Sequence, residues 1–291
     1  MYSEKLEELI RAALADGVLT DKEKKILFKR AQEEGIDLDE FEMVLSARVI
    51  ELDKAKQSSI AKENHQIETY RELSRNAVLA RNYVEAENYS NKILEIVSED
   101  PEAWLNKGYA AGALSQFPNM RYNEMVQCFQ NALDYAGEDL ISEIKRGVIL
   151  GLERLPVEQL IFSCEYLKKG NWQYINNVRW LMQFIYEQAC HLILSCSGNT
   201  KDMMTRVANT LNSTAIEAFN YINFYRFNTE YAQWHLDGTN ICHELLETYA
   251  AIPEVSNDEK IAAYKMKIDI SQAWKESHPV MDAILGYDPY H

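Results

Sequence analysis

A chain of 291 residues with a net charge of −15 and a hydrophobic fraction of 47% can bury a core, and it is poorly suited to the clustered cations that nucleic acid and anionic lipid reward. Only 11 Gly and 6 Pro, against long runs of Ala, Leu, Glu, Lys, Gln and Met, are too few turn residues for an all-β protein, so an all-α fold is expected. The N-terminus "MYSEKLEELIRAAL" is charged and amphipathic, no run of about twenty apolar residues occurs, and 5 scattered cysteines show no disulfide framework, which together point to a cytoplasmic protein.

Leu6, Leu9, Ile10, Ala13 and Leu14 recur at helical spacing. The stretch "LADGVLTDKEKKIL" that follows contains the back half of a calcium loop, with Asp16, Gly17 and Glu23 at the fifth, sixth and twelfth places of an EF-hand. Ala12 and Leu14 occupy the places of the first two carboxylates. A capping reading accounts for every residue: Gly17 ends one helix, Thr20 caps the next, and Glu23 completes a Thr-x-x-Glu box. Gly35 closes that second helix, and Asp37 caps a third that carries Phe41, Val44, Leu45, Arg48 and Val49. With its Ala15-Asp16-Gly17 turn followed by Glu23, "ALADGVLTDKEKKILFKRAQEEGIDLDEFEMVL" resembles the core of TerB-like domains, the helical modules named after bacterial tellurite resistance. In that family the acidic residues have been linked to divalent metal; Asp16 and Glu23 alone supply too few oxygens for a tight site. Residues 1–52 are therefore read as a TerB-like module, and the polar run 53–66 as a solvated helical connector.

An internal repeat follows. Trp104 and Gly108 stand at the fourth and eighth places counted from Pro101, and one period earlier Tyr70 takes the equivalent aromatic place and Ala86 the twentieth. The run "RNYVEAENYSNKILEIVSEDPEAWLNKGYAAGAL" resembles a tetratricopeptide repeat, a helix pair of about 34 residues in which Gly and Ala let the helices approach while an aromatic fills the groove beside them. An insertion of about five residues in "SQFPNMRYNEM" shifts the register, after which Phe129 and Ala132 match the second helix. A third repeat is expected from Leu140, with Gly147 at its eighth place. Ser74 and Ser90 depart from the pattern, standing where the first repeat has Gly and an aromatic. Repeats are thus expected over 67–170.

Residues 171–291 read as a C-terminal helical bundle with a break near Gly170 and Asn171, a long amphipathic stretch from Thr200 to about Ala250, and a last helix capped by Ser256 and Glu259. Within "AFNYINFYRFNTEYAQW", Phe224, Phe227, Tyr231 and Trp234 fall on one helical stripe and are expected to pack. Base stacking by Phe219, Tyr221 or Tyr225 would need cations, and Arg226 is the one nearby.

"HELLE", His243 to Glu247, resembles a zinc-protease helix whose second His is replaced by Glu247; an ordinary amphipathic helix explains it as well. Cys190, His191 and Cys196, with His235, Cys242 and His243, have zinc-ligand chemistry without knuckle spacing. No Gly-rich phosphate loop, Gly-x-Ser-x-Gly elbow or paired Cys-x-x-Cys occurs.

The expectation is a non-enzymatic bacterial adaptor, without cofactor, catalytic residues or bound metal, that holds a protein or peptide partner on a concave helical face and engages neither nucleic acid nor membrane. The alternative is a metal-binding protein or metal-dependent enzyme with its site around His191, His235 and His243. Resemblance to the carboxylate-clamp members of the repeat family implies partner-binding positions at Arg71, Arg75, Asn106 and Lys145, and with them an acidic or carboxylate-terminated partner.

Overall fold

In the computed structural model, which describes residues 2–15, 18–224 and 232–278, every regular element is helical and no strand occurs among the described residues. The protein is all-α.

Helix punctuation written in the sequence sets the first elements. Ser3 opens α1 (Glu4–Ala13) by accepting from the Leu6 amide. Thr20 opens α2 (Asp21–Glu33) with both halves of a capping box: its hydroxyl oxygen accepts from the Glu23 amide, and the Glu23 carboxylate accepts from the Thr20 amide at 2.9 Å. Gly35 takes φ 69° just beyond α2, and the Asp37 carboxylate accepts from the amides of Asp39 and Glu40 at 3.0 and 2.9 Å to start α3 (Leu38–Leu79). Asp16 and Gly17 lie outside the described residues.

The chain forms two compact units, Met1–Tyr70 and Arg71–His291. The core of the first comes from one apolar stripe per helix: Leu6 and Ile10, Leu27 and Ala31, Phe41 and Leu45. Residues 53–66, expected as a solvated helical connector, are part of α3, and each is exposed.

In the second unit the end of α3 is followed by α4 (Tyr83–Ile96), α5 (Pro101–Ala113), α6 (Tyr122–Tyr135) and α7 (Ile141–Leu167). Asn82 and Asp100 cap α4 and α5. The buried ring of Phe129 on α6 fills the space between two glycines: a Cβ on Gly108 of α5 would stand 2.5 Å from it, and a Cβ on Gly151 of α7 would stand 2.7 Å from it. The absence of two methyl groups is what lets three helices close around one ring.

From the place where a third repeat was expected, near Leu140, α7 continues unbroken past Pro156 to Leu167. Beside that proline, side chains take up carbonyls: Arg206 donates to the Glu153 oxygen at 2.8 Å and Tyr122 to the Leu155 oxygen at 3.0 Å. Within the amphipathic stretch expected from Thr200 to about Ala250, the described residues form α10 (Lys201–Phe224) and α11 (Ala232–Ala251). Phe224 at the end of α10 is 81% exposed; Tyr225, Phe227 and Tyr231 lie outside the described residues.

After α7, Gly170 turns the chain with φ 76° into a short 3-10 turn (Trp172–Tyr174). Then come α8 (Ile175–Phe184), one π turn (Ile185–Ala189) and α9 (Cys190–Ser195). A last helix, α12 (Asn257–Ser277), starts from a complete Ser256–Glu259 capping box. One hydrophobic cluster extends from Ala111 on α5 to Ile270 on α12. No helix among the described residues is long and apolar enough to cross a membrane.

Candidate binding groove

The segment read in the sequence as an insertion builds one wall of a cavity of about 550 Å3. This loop, residues 115–120, is fastened at its start by Ser115, 3% exposed, whose hydroxyl donates to the Ala111 carbonyl at 2.9 Å and accepts from the Arg121 amide at 2.8 Å. Arg121 is held in turn by two carboxylates: Glu124, at 2.8 and 2.9 Å, and Glu87. Their hydrogen bonds raise the guanidinium pKa above its ordinary value, so its charge is fixed. Phe117 meets Trp180 of α8 edge-on, with ring centroids 6.1 Å apart, which ties the loop to the opposite wall.

That opposite wall comes from three places in the chain. Helical spacing puts Gln159 and Phe162 one turn apart on α7, the 3-10 turn presents Gln173 and Tyr174, and Asn177 follows on α8. Tyr174 stacks on Tyr166 at 4.3 Å, and Tyr166 meets Phe162 edge-on at 5.0 Å, so the aromatic rings form a braced ladder. The side chains of Gln116, Gln159, Gln173 and Asn177 make no hydrogen bond within the described protein. None of the nine lining residues is charged, in a chain that is 26% Asp, Glu, Lys and Arg. The groove therefore offers paired donors and acceptors and aromatic surface, with no Coulombic field of its own making.

The four clamp positions have other surroundings. Arg71 donates to Oδ2 of Asp100 through Nε at 2.9 Å, while Oδ1 of the same carboxylate caps α5 by accepting from the Ala103 amide at 2.8 Å. The Asp100 side chain is fully buried in that role. Arg75 donates to Glu102 at 2.9 Å, Asn106 is 8% exposed on α5, and Lys145 is partly exposed on α7. A ligand carboxylate reaching Arg71 would compete with an acid that also holds a helix end.

The histidines expected around a metal do not converge: among the described residues no three His, Cys, Asp or Glu form a group that could hold an ion. His191 is exposed, and fully buried His235 faces His278, Nδ1 to Nε2, at 3.3 Å. His243 Nε2 lies 3.1 Å from the Lys267 carbonyl and 3.1 Å from the Ser271 hydroxyl. A carbonyl can only accept, so Nε2 carries the proton, and His243 is neither a ligand nor a base for Ser271 through that nitrogen. Glu247, the other half of "HELLE", pairs with Lys267. Burial pushes the Cys242 thiol up to about 12 and the Cys190 thiol up to about 11, away from thiolate chemistry.

Sequence reasoning missed the groove because its side chains come from four segments with no shared period. The single legible signal was the insertion itself. No family model matches the chain, and a comparison with curated proteins finds no match.

Proposed function

We propose that this protein is a non-enzymatic adaptor in which tetratricopeptide-type helix pairs position a groove for a segment of a partner protein. The observation that carries the reading is the lining: four carboxamides without protein partners and three aromatic side chains converge on one uncharged cavity of about 550 Å3. Recognition sites combine apolar surface with a few polar groups that fix orientation, and this groove has both. Its lining carries one titratable side chain, the Tyr174 phenol. The TerB-like resemblance of the N-terminal segment suits a second attachment module, and five free thiols suit a reducing compartment such as the cytoplasm.

Affinity capture with the intact protein tests this, comparing the native chain with Gln159→Ala combined with Phe162→Ala. Phe162 is 49% exposed, so its truncation leaves the core intact. Proteins retained by the native chain and lost from the variant at equal melting temperature are the expected result. Identical proteins retained by both would remove the groove from consideration.

A further inference from the structure

We infer that the segment held in the groove is an uncharged, proline-rich stretch in the polyproline II conformation. This rests on the groove being the partner site and goes on to say what chemistry fits it.

The known ways of holding a peptide differ in what they ask of the surface. Strand addition needs an exposed sheet edge, and the groove is built from helices, a 3-10 turn and a loop. A helix laid in a groove needs a continuous apolar floor, whereas Gln116, Gln159, Gln173 and Asn177 interrupt this one. Acidic and phosphorylated motifs need clustered Arg or Lys, and no cation lines the cavity. What remains is the mode that pairs aromatic surface with scattered neutral donors.

Polyproline II matches that surface for physical reasons. Its backbone makes no internal hydrogen bonds, so its carbonyls project outward as free acceptors. Carboxamide N–H groups that have no partner in the protein are the complementary donors. Proline rings are apolar and pack against aromatic side chains, here Phe117, Phe162 and Tyr174. Tyr174 and Phe162 are each braced by Tyr166, so these rings are held in place before a ligand arrives. Proline-rich chains are also partly ordered before they bind, so a groove with few strong contacts can hold them. A neutral sugar shares the liking for amides and rings, and its binding is an outcome that the test separates.

The test is a calorimetric titration of the full chain with a capped nonapeptide of three Pro-Pro-Thr triplets, about three turns of polyproline II. A second capped peptide carries Ala in place of every Pro, and maltohexaose stands for the neutral sugars. The proline peptide should bind with Kd below about 1 mM and at least about tenfold more tightly than the Ala peptide, with less than about a twofold change between low and high salt. Gln159→Ala and, separately, Phe162→Ala should each weaken it at least about threefold. Equal binding of the proline and Ala peptides, lost in those variants, would overturn the proline inference while leaving the groove as a peptide site. Binding of maltohexaose alone, or of none of the three, would overturn the inference as well. The comparison of peptides on the native chain decides the matter even if a variant folds poorly.

Discussion

Ser74 and Ser90 face each other with their hydroxyl oxygens 3.0 Å apart, both fully buried, where α3 meets α4. Gly108 of α5 and Phe129 of α6 meet in a different way, a glycine against a ring. The two contacts are built from complementary pairs: two small hydroxyls in one, a glycine and an aromatic ring in the other. Truncating either serine leaves the other hydroxyl buried without this partner, at a cost of about 1 kcal/mol or more. Truncating both removes the pair together. Chemical denaturation of Ser74→Ala, Ser90→Ala and the double variant should show the double costing less than the sum by about 0.5 to 1.5 kcal/mol. Strict additivity would mean the two hydroxyls do not act as a pair.

Gly108 tests the packing of the next pair. An Ala there gains roughly 1 kcal/mol of helix propensity over Gly. Against this, the new methyl would stand 2.5 Å from two ring carbons of Phe129, and that ring cannot withdraw because Gly151 touches it from the opposite helix. Overpacking should win, with Gly108→Ala destabilising by about 1 to 3 kcal/mol and Gly108→Leu by more. Gly137, with nothing within 4 Å of its would-be Cβ, is the control, and Gly137→Ala should stay within about 0.5 kcal/mol of the native chain. A melting temperature for Gly108→Ala equal to that of Gly137→Ala would contradict the packing.

What was legible from the residues alone follows a physical division. Caps at Thr20, Asp37 and Ser256 are local chemistry within one turn, and each forms. A glycine at a helix contact was legible too, and Gly108 does meet the Phe129 ring. The stripe through Phe224 lies partly outside the described residues, and Phe224 itself is 81% exposed. The contact of His235 with His278 and the groove lining join residues distant in sequence, to which no local pattern points.

Arg71 and Arg75 lie one turn apart on α3 but hold different partners. Arg71 neutralises Asp100, whose carboxylate is fully buried, while Arg75 pairs with Glu102, whose side chain is 25% exposed. Removing Arg71 strands a buried charge that also caps α5, whereas removing Arg75 breaks a largely solvated pair. Arg71→Ala should cost on the order of 2 kcal/mol and Arg75→Ala less than about 1 kcal/mol in urea denaturation. Equal costs would show that Asp100 finds other compensation. Measured beside this, partner capture by Arg75→Ala separates a clamp from a structural ion pair, because that variant should stay folded.

Acid should weaken the fold before the carboxylates titrate. Burial lowers the pKa of His235, His243 and His278 below the ordinary value of 6.5; His278 adds to the shift at His235, and the Lys267 charge adds to that at His243. A base whose folded pKa is depressed takes up protons in the unfolded chain first, so stability is full above about 6.5 and falls as pH drops from there through the folded values. The slope can reach about 1.4 kcal/mol per pH unit for each such histidine. Glu7 and Glu124 have pKa values lowered by hydrogen bonds from Arg48 and Arg121, and their share is lost only below about 4.5. Urea denaturation at about pH 7.5 and about pH 5.5 should show the loss, reduced in His235→Gln. A flat profile across that interval would mean that at least the His235–His278 contact accepts a proton without cost.

Ser115 decides whether the groove wall stands. Its hydroxyl is nearly inaccessible, and it links the end of α5 to the start of α6 by donating to Ala111 and accepting from the Arg121 amide. Ser115→Ala would leave the Arg121 amide without its acceptor, at about 1 to 3 kcal/mol for a buried donor, yet it creates almost no cavity. Because Arg121 remains anchored by Glu87 and Glu124, the helices on either side should keep their packing and the cost should stay in the loop. Hydrogen exchange should therefore quicken at residues 115–121 in Ser115→Ala, with α7 and α10 unchanged, and affinity for a groove-bound peptide should fall at least about threefold. Ser115→Thr, which keeps the hydroxyl, should restore slow exchange if the added methyl is accommodated. Accelerated exchange spread over the whole unit would show that the hydroxyl supports the core rather than the wall, and unchanged exchange would show that the loop is held by Phe117 and Trp180 alone.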